Sequence, residues 1–275
     1  MKNIINKDKI ITIGILPIMW LIYFLFEVFS GRVNDLYTLI LNLSLIFLFA
    51  FVGWIIYMYS IKNIYGVNTK ILIIIFFILM LLDQGLKLII KINFFHSYLE
   101  IIPEFLYFNP IINTQGSWLN ARFNFNIGFS LLIIINGIAL ILFLELYRYL
   151  KYKNIKNFWT DLCFIFIFSG ALCSLIDKLF YGGSLDFIGI SDLFIADFKD
   201  IYINLGLLFF IMSCYKGGFF SQTEETSLKD DWNSIKKFLN FIKNDILQIL
   251  KKEKTIKLNN KLIGLLKQKY HHCLL

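Results

Sequence analysis

Six apolar runs, each close to the length of a membrane-spanning helix, dominate this sequence. They cover residues 10–29, 39–61, 71–90, 127–147, 158–176 and 201–214. An α-helix needs about 20 apolar residues to cross the hydrocarbon core of a bilayer, and the last run reaches that length only by continuing through Gly217 and Phe220. Charged residues make up 17% of the chain, against about 25% in soluble domains. We therefore predict an all-α polytopic membrane protein with about six transmembrane helices.

Net positive charge marks alternate connections between these runs. The basic connections are residues 1–9, 62–70 and 148–156, and those without excess positive charge are 31–37, 91–125 and 177–200. Short connections rich in lysine and arginine stay in the cytoplasm, so we expect a multi-pass protein with both termini cytoplasmic. The first run reaches Phe29 without a small-residue cleavage site, which favours a retained helix over a cleaved signal peptide.

The connection 92–125 is too polar and aromatic to span a membrane. Its short runs SYLEII and EFLYF have the composition of β-strands, and Pro103 and Pro110 interrupt it. We predict a small extracytoplasmic β-cradle that lies at the membrane surface. An irregular loop with aromatic side chains at the interface is the alternative.

The C-terminal segment, residues 219–275, is rich in lysine. It contains eleven lysines and six acidic residues. Apolar residues recur three and four positions apart from Trp232 to Ile249, with polar residues and lysines between them. This pattern predicts a cytoplasmic amphipathic helix that lies on the anionic lipids of the inner leaflet. A solvated helix or a partly disordered tail is the alternative.

Five aspartates lie in the connection between the fifth and sixth runs. They are Asp177, Asp186, Asp192, Asp197 and Asp200, and the local cations are Lys178 and Lys199. Carboxylates at a membrane boundary are costly to desolvate, so such a cluster needs a reason. Either the cluster performs chemistry or the connection is a polar loop. Asp186 and Asp200 could share a proton, activate a water molecule and hydrolyse an amide without a metal or a covalent intermediate. Because Asp200 also starts the sixth run, helix capping is the alternative for that residue.

Two further polar groups stand out beside the apolar runs. Asp83 and Lys87 are four residues apart, so they share one helix face and can pair. An end-of-helix pair that reaches to the interface is the alternative. Asn113 and Gly116 lie in NTQGSWLN, where the Asn113 amide could hold an extended peptide backbone because it both donates and accepts. A simple turn would use the same residues.

Four stretches together resemble a known family. LLDQGLK, NTQGSWLN, GALCSLIDKLFYGGSLDFI and FKDIYINLG occur in this order between residues 71 and 217, and they are similar to the motifs of lipoprotein signal peptidase (signal peptidase II). The resemblance implies a four-span aspartic endopeptidase of the bacterial cytoplasmic membrane. Such an enzyme removes signal peptides from diacylglyceryl-modified prolipoproteins at the extracytoplasmic face, with no cofactor, metal ion or nucleic acid. It also implies that Asp186 and Asp200 are the catalytic pair.

The resemblance further implies a set of residues that bind substrate or support the catalytic pair. They are Asp83, Lys87, Asn113, Gly116, Ser174, Asp177, Lys178 and Asp197. Three of them depart from the family pattern: Ser174 and Asp197 each stand where asparagine is usual, and Lys178 replaces arginine. Lys178 keeps the charge without the guanidinium fork, Ser174 lacks an amide, and Asp197 adds an acid that should raise a neighbouring pKa.

The resemblance covers slightly over half of the chain. We therefore divide the sequence into an additional two-span segment (1–69), a catalytic core (70–218) and the basic tail (219–275), and we expect a monomeric, divergent member of the family. The alternative is a catalytically impaired or non-enzymatic membrane protein that binds lipid-modified peptides, or a small transporter. A transporter would show internal repeats or ionisable residues deep in several spans, whereas here the acids cluster at one boundary.

Overall fold

Six helices account for the six apolar runs. The computed structural model describes residues 2–115, 120, 123, 128–219, 230 and 232–248, and each of these helices is long and apolar enough to cross a membrane. From the first to the sixth, they span Lys2–Phe29, Leu36–Ser60, Thr69–Phe94, Phe129–Tyr152, Phe158–Phe180 and Phe198–Lys216. This confirms the predicted all-α polytopic membrane protein. The chain divides into two units, Met1–Ser221 and Gln222–Leu275, and each is described by itself.

Polar caps explain why two of the helices begin earlier than their apolar runs. The Asp35 carboxylate accepts a hydrogen bond from the N–H of Thr38 at 2.6 Å, and Asp197 starts the sixth helix in the same way. Such caps satisfy amide groups that have no partner in the first helical turn. The sixth helix thereby gains its length at its start and ends at Lys216, so it reaches the length of a membrane span without continuing through Gly217.

The third helix contains two wider, π-helical turns at Leu81–Gly85 and Ile90–Phe94. Turns of this kind occur frequently at functional sites. Asp83 lies in the first of them, and Lys87 lies in the α-helical turn Leu86–Ile89 that follows. Both side chains are fully buried within the protein, which favours an internal ion pair over an end-of-helix pair that reaches to the interface.

Close approach between the fifth and sixth helices holds the centre of the bundle together. A Cβ atom at Gly206 would lie 2.4 Å from Ile167, and one at Gly170 would lie 2.8 Å from Ile203. Small residues at helix crossings let the backbones approach closely, which stabilises helix pairs in lipid. The fifth helix also packs against the third and fourth helices, and the first helix packs against the second and sixth.

A four-stranded antiparallel sheet joins the two long connections at one end of the bundle. Its strands are, in order, β1 (Leu99–Ile102), β2 (Leu106–Asn113), β3 (Ser184–Ile190) and β4 (Phe194–Ala196). The sheet confirms the predicted β-structure, and the irregular-loop alternative is wrong for these residues, while its extracytoplasmic position at the membrane surface stays a prediction. Strands β3 and β4, which follow the fifth helix, are not predicted from the sequence. The pairing of β2 with β3 places Ile111 of β2 opposite Asp186 of β3, and Asn113 of β2 opposite Ser184 of β3.

At the end of the bundle opposite the sheet, a network of polar contacts joins the connections 62–70 and 148–156. Asp161, buried near the start of the fifth helix, accepts hydrogen bonds from Val67 N at 2.7 Å and from Tyr147 Oη at 2.8 Å. Lys156 Nζ donates to the carbonyl oxygen of Val67 at 2.8 Å. The two basic connections therefore meet at the end opposite the sheet, as the alternation of charge predicts. That this end faces the cytoplasm stays a prediction.

The described part of the tail is helical at Asp230 and at residues 232–248. Trp232, Ile235 and Leu239 expose much of their apolar side chains. The helix agrees with the predicted amphipathic segment, while its contact with anionic lipids stays a prediction. Ile249 and the residues after it lie outside the described residues.

Candidate active site

Three aspartates from two separate elements meet at the sheet end of the bundle. Asp186 lies in β3, and Asp197 and Asp200 lie at the start of the sixth helix. One carboxylate oxygen of each lies within 4.8 Å of the other two. Asp186 and Asp200, the pair singled out from the sequence, are therefore close enough for each to influence the ionisation of the other.

Asp200 is held by the turn that starts the sixth helix. Its Oδ2 accepts a hydrogen bond from the N–H of Asp197 at 3.2 Å, and Asp197 Oδ1 accepts one from the N–H of Asp200 at 3.3 Å. This reciprocal capping box satisfies two amide groups at the helix start. Capping, the alternative role for Asp200, is thus part of the structure. The side chain of Asp200 nevertheless stays 43% exposed, so water can reach it.

Asp186 is fixed by hydrogen bonds from two residues of the sheet. Asn113 Nδ2 donates to Asp186 Oδ2 at 3.0 Å, and Ser184 Oγ donates to Asp186 Oδ1 at 2.5 Å. Both contacts follow from strand geometry, because Asn113 lies opposite Ser184 and residues two apart share one face of a strand. The side chain of Asp186 is only 4% exposed. It is therefore a buried carboxyl group beside the more open Asp200.

The ammonium group of Lys199 lies among these carboxylates. Its Nζ is 2.5 Å from Asp197 Oδ2, 3.4 Å from Asp186 Oδ1 and 3.8 Å from Asp200 Oδ1. It also donates to Ser184 Oγ at 2.5 Å. Three carboxylates arranged in this way could ligate a metal ion, but the protein itself supplies a cation close to all three.

A second buried lysine connects the third helix to the same cluster. Lys87 Nζ lies 3.0 Å from Asp83 Oδ2, 2.6 Å from Asp177 Oδ2 and 2.5 Å from Asp197 Oδ2. The predicted Asp83–Lys87 pair is thus confirmed. Gln84 Nε2 donates to both Asp83 and Asp177 at 2.9 Å. These groups depend on one another, because removing one partner of a buried ion pair leaves an uncompensated charge.

The surrounding charges shift the pKa values of Asp186 and Asp197 in opposite directions. Burial raises the pKa of Asp186; Lys199 opposes this rise and Asp197 adds to it. Burial would also raise the pKa of Asp197, but the ammonium groups of Lys199 and Lys87 outweigh it and hold that pKa below its usual value. Asp186 is therefore the more easily protonated of the two. The contribution of Asp197 to the raised pKa of Asp186 agrees with the expected direction.

Comparison with known proteins shows where this arrangement belongs. The model of the family described as Signal peptidase (SPase) II matches residues 74–216. The chain belongs to the signal peptidase II family. The lipoprotein signal peptidase of Fusobacterium nucleatum is 32% identical over 149 residues, which are 53% of this chain and 86% of that protein. The one from Staphylococcus haemolyticus is 31% identical over 147 residues, which are 50% and 86%.

A solved structure of a bacterial membrane enzyme is also similar. It aligns with a TM-score of 0.48 and 23% identity, over 60% of this chain and 99% of its own. The signal peptidase II match itself contains the whole sheet and the acid cluster, whereas the first two helices, Lys2–Phe29 and Leu36–Ser60, precede it. The tail follows it. The boundaries of the segments 1–69, 70–218 and 219–275 stay a prediction.

Ser174 and Lys178, two of the residues implied by the resemblance, contact each other. Lys178 Nζ donates to Ser174 Oγ at 2.5 Å and to the Ser174 carbonyl oxygen at 3.4 Å, one helical turn away. Among the described residues, the ion pairs of the acid cluster are made by Lys87 and Lys199 instead. Gly116, which the resemblance places in the site, lies outside the described residues.

Sequence reasoning missed Lys199, Ser184 and Gln84 as members of the site. Lys199 is evident as a local cation, but a helix start gives no indication of which side chain turns toward the acids. Ser184 becomes relevant only once β3 is known to be a strand, since alternation then places it beside Asp186. Asn113 Nδ2 donates to Asp186 Oδ2 at 3.0 Å, and Asn113 Oδ1 accepts from Gln115 N at 3.1 Å. That Asn113 binds a peptide backbone stays a prediction.

Proposed function

We propose that this chain is a lipoprotein signal peptidase, a membrane aspartic endopeptidase that removes signal peptides from diacylglyceryl-modified prolipoproteins. The observation that carries this proposal is the approach of the Asp186 and Asp200 carboxylates to within 4.8 Å at the sheet end of the bundle. Membership of the signal peptidase II family supports the reaction class. Its relatives from Fusobacterium nucleatum and Staphylococcus haemolyticus are lipoprotein signal peptidases.

The two acids divide the proton transfers of peptide hydrolysis between them. Carboxyl groups this close do not both ionise readily, so the pair retains one proton and titrates as a unit. Asp200 is the more exposed of the two, so water reaches the pair from its side. The ionised carboxylate accepts a proton from the attacking water while the protonated one donates to the carbonyl oxygen. Collapse of the tetrahedral intermediate then transfers a proton to the leaving amine.

The neighbouring polar residues act as positioning residues in this mechanism. Asn113 and Ser184 orient Asp186 through their hydrogen bonds. The capping box orients Asp200 and leaves part of its side chain open. Lys199 offsets the negative charge of the three clustered aspartates, which would otherwise repel one another.

The proposed site faces the extracytoplasmic side of the bacterial cytoplasmic membrane. The connections that carry excess positive charge meet at the opposite end of the bundle, and such connections stay in the cytoplasm. The substrate enters from the bilayer with its diacyl chains between the helices. Its scissile peptide bond then lies over the two acids, where the connection that forms β1 and β2 holds the peptide.

One observation favours a second candidate, a catalytically impaired family member that binds lipid-modified peptides. Lys199 Nζ lies within 3.8 Å of Asp186 and Asp200. A cation this close favours the fully ionised pair, whereas the mechanism needs one retained proton. The two candidates differ in turnover, because the impaired protein would bind a prolipoprotein and leave its signal peptide uncut.

Processing in cells separates these candidates. The full chain is produced in bacteria depleted of their own lipoprotein signal peptidase, and the ratio of mature lipoprotein to prolipoprotein is measured. We expect the wild-type chain to restore mature lipoprotein, and Asp186→Asn and Asp200→Asn to accumulate the precursor. Asp192→Asn removes the same charge from an exposed position in the same connection and should process normally. Accumulation of precursor with the wild-type chain would favour the impaired candidate.

We also propose that the tail helix lies on anionic lipids. Its described residues expose Trp232, Ile235 and Leu239, and lysines are interspersed among these apolar residues. Apolar residues insert into the headgroup region while nearby lysines interact with anionic headgroups. The helix therefore has both features that surface binding requires.

A further inference from the structure

The turn between β3 and β4 has a strained residue at its start. Ser191 has a φ of 47°, a left-handed conformation that non-glycine residues adopt at a cost. Its side chain is buried, and its N–H donates to the carbonyl oxygen of Phe105 at 2.6 Å. Such a conformation persists only where neighbouring contacts fix it. Arg32 and Asn42 supply side-chain hydrogen bonds to this turn.

Arg32, between the first and second helices, binds the backbone of the turn. Its Nη2 donates to the carbonyl oxygens of Asp192 at 2.5 Å and Leu193 at 2.8 Å. Its Nη1 pairs with Glu27 Oε2 at 3.1 Å, and the Glu27 side chain is fully buried. The guanidinium group has several donors in a fixed plane, so it can bind the turn and the first helix at once.

Asn42 of the second helix makes a separate contact with the same turn. Its Nδ2 donates to Ser191 Oγ at 3.1 Å, and its backbone oxygen accepts from Trp20 Nε1 of the first helix at 2.9 Å. Phe194, the first residue of β4, packs edge-on against the rings of Trp20 and Tyr23. Polar and aromatic contacts from both helices thus converge on the turn and the residue that follows it.

The turn lies between the two proposed catalytic residues along the chain. It follows β3, which carries Asp186, and β4 leads directly to Asp197, the cap of the helix that carries Asp200. The turn therefore connects the two elements that carry the acids. The first two helices precede the family match, so family membership gives them no role.

We propose that the first two helices act as a clamp, made by Glu27, Arg32 and Asn42, that fixes the β3–β4 turn and through it the spacing of Asp186 and Asp200. The catalytic part of this inference depends on the proposed function, whereas the structural part does not. Arg32 and Asn42 are positioning residues, since they contact the turn rather than the acids.

The test uses the full chain in lipid nanodiscs with the variants Arg32→Met and Arg32→Lys. Hydrogen exchange of the amides in residues 184–196 is measured together with kcat and KM for a lipid-modified peptide. We expect Arg32→Met to speed exchange in the turn about tenfold or more, and to lower kcat about tenfold with KM within about twofold, because a small misplacement of catalytic groups slows chemistry. Arg32→Lys keeps a positive charge beside Glu27 and should recover part of both effects.

Asp8→Asn is the matched control. Asp8 of the first helix pairs with Lys216 of the sixth, so this variant also removes a contact between the added helices and the core, but away from the turn. It should leave exchange at residues 184–196 and kcat unchanged. Unchanged exchange at the turn in both Arg32 variants would overturn the clamp, as would an equal effect of Asp8→Asn. If the wild-type chain cleaves nothing but Arg32→Met still exchanges faster than the wild-type chain at residues 184–196, the result would support the clamp and contradict the proposed function.

Exchange of each variant is compared with that of the wild-type chain at the turn and in the six helices. A general loss of folding speeds exchange everywhere, whereas loss of the clamp speeds it at the turn. If Arg32→Met loosens all six helices, Asn42→Ala is the second variant, because it removes only neutral hydrogen bonds, one to Ser191 Oγ and one to the Thr38 carbonyl oxygen of its own helix. It should speed exchange of the turn and leave exchange within the third and fifth helices unchanged. Equal acceleration throughout the chain would overturn the clamp.

Discussion

Lys87 of the third helix and Asp197 at the start of the sixth form a buried ion pair, with Nζ 2.5 Å from Oδ2 and neither side chain exposed. The pair joins the helix that carries Asp83 to the one that carries Asp200. Removing one member of a buried pair leaves the other charge without compensation in a medium of low dielectric constant. The cluster should therefore be sensitive to single substitutions.

The Lys87→Met substitution tests this sensitivity. We expect it to lower the free energy of unfolding by about 3–5 kcal/mol, because three buried aspartates then lose their shared cation. Denaturant unfolding of the full chain in detergent measures the change. Lys91→Met is the control: Lys91 is exposed on the same helix and contacts the Tyr181 ring at 4.6 Å, so it should change stability by less than about 1 kcal/mol. Equal effects of the two variants would contradict the proposed role of Lys87.

The pH dependence of cleavage should respond to Lys199. Burial raises the pKa of Asp186, and the Lys199 ammonium opposes that rise. In Lys199→Met the pKa of Asp186 therefore rises further. As the pH is lowered, Asp186 becomes protonated at a higher pH than in the wild-type chain. We expect the acidic limb of the kcat profile to move up by about one pH unit, measured from pH 4 to 9 with a lipid-modified peptide. A limb that stays in place would show that Lys199 does not interact with the pair.

Asp197→Asn provides the opposite change in the same profile. The negative charge of Asp197 adds to the raised pKa of Asp186, so its removal lowers that pKa. Asparagine keeps the helix cap, and the start of the sixth helix should stay intact. We expect the acidic limb to move to lower pH. A shift in the same direction as Lys199→Met would contradict the charge arrangement described here.

The Asn113→Ala substitution tests how Asp186 is oriented. Asn113 Nδ2 donates to Asp186 Oδ2 at 3.0 Å, and a hydrogen bond to a charged group contributes about 1.5–3 kcal/mol. We expect kcat to fall about tenfold or more with little change in KM, as steady-state kinetics will show. Asn93→Ala, at an exposed position where the amide bonds only its own helix among the described contacts, should keep normal kinetics. A larger effect on KM than on kcat would instead place Asn113 in substrate binding.

Hydrogen exchange in the tail helix should depend on the charge of the surrounding lipids. The full chain is placed in nanodiscs of neutral or partly anionic lipid, and hydrogen exchange is measured over residues 232–248. We expect slower exchange with anionic lipid, because lysines near the surface interact with the headgroups at about 1 kcal/mol each. Replacing Lys236, Lys237 and Lys243 together by glutamine should remove the difference. The same exchange in both lipids for the wild-type chain would show that the helix is solvated.

The six helices could be predicted from the sequence, because a long apolar run has few alternatives in a membrane protein. The β3–β4 hairpin could not. Its residues 184–190 are few and are interrupted by Ser184, Asp186 and Gly189, so their pattern does not distinguish a strand from a loop. The partner strand β2 lies far away in the sequence. Pairing between distant segments leaves no local pattern.

Only part of the site could be predicted, because contacts between distant segments leave no local pattern in the sequence. Asp186 and Asp200 stand out because carboxylates are rare beside apolar runs. Lys199 and Ser184 do not, since a lysine or serine near a membrane boundary is ordinary. Their importance depends on where their side chains point. The side chain of Lys199 points toward Asp197 and Ser184, and this orientation depends on how the sixth helix packs against the sheet.

Cleavage by the purified chain tests the central claim most directly. The kcat for a diacylglyceryl-modified peptide is measured for the wild-type chain, Asp186→Asn and Asp200→Asn, with Asp192→Asn as the control. We predict that each of the first two substitutions lowers kcat by about 10²–10⁴-fold, the usual contribution of a positioned acid or base, while Asp192→Asn stays within about twofold of wild type. Normal turnover by either Asp186→Asn or Asp200→Asn would contradict the account.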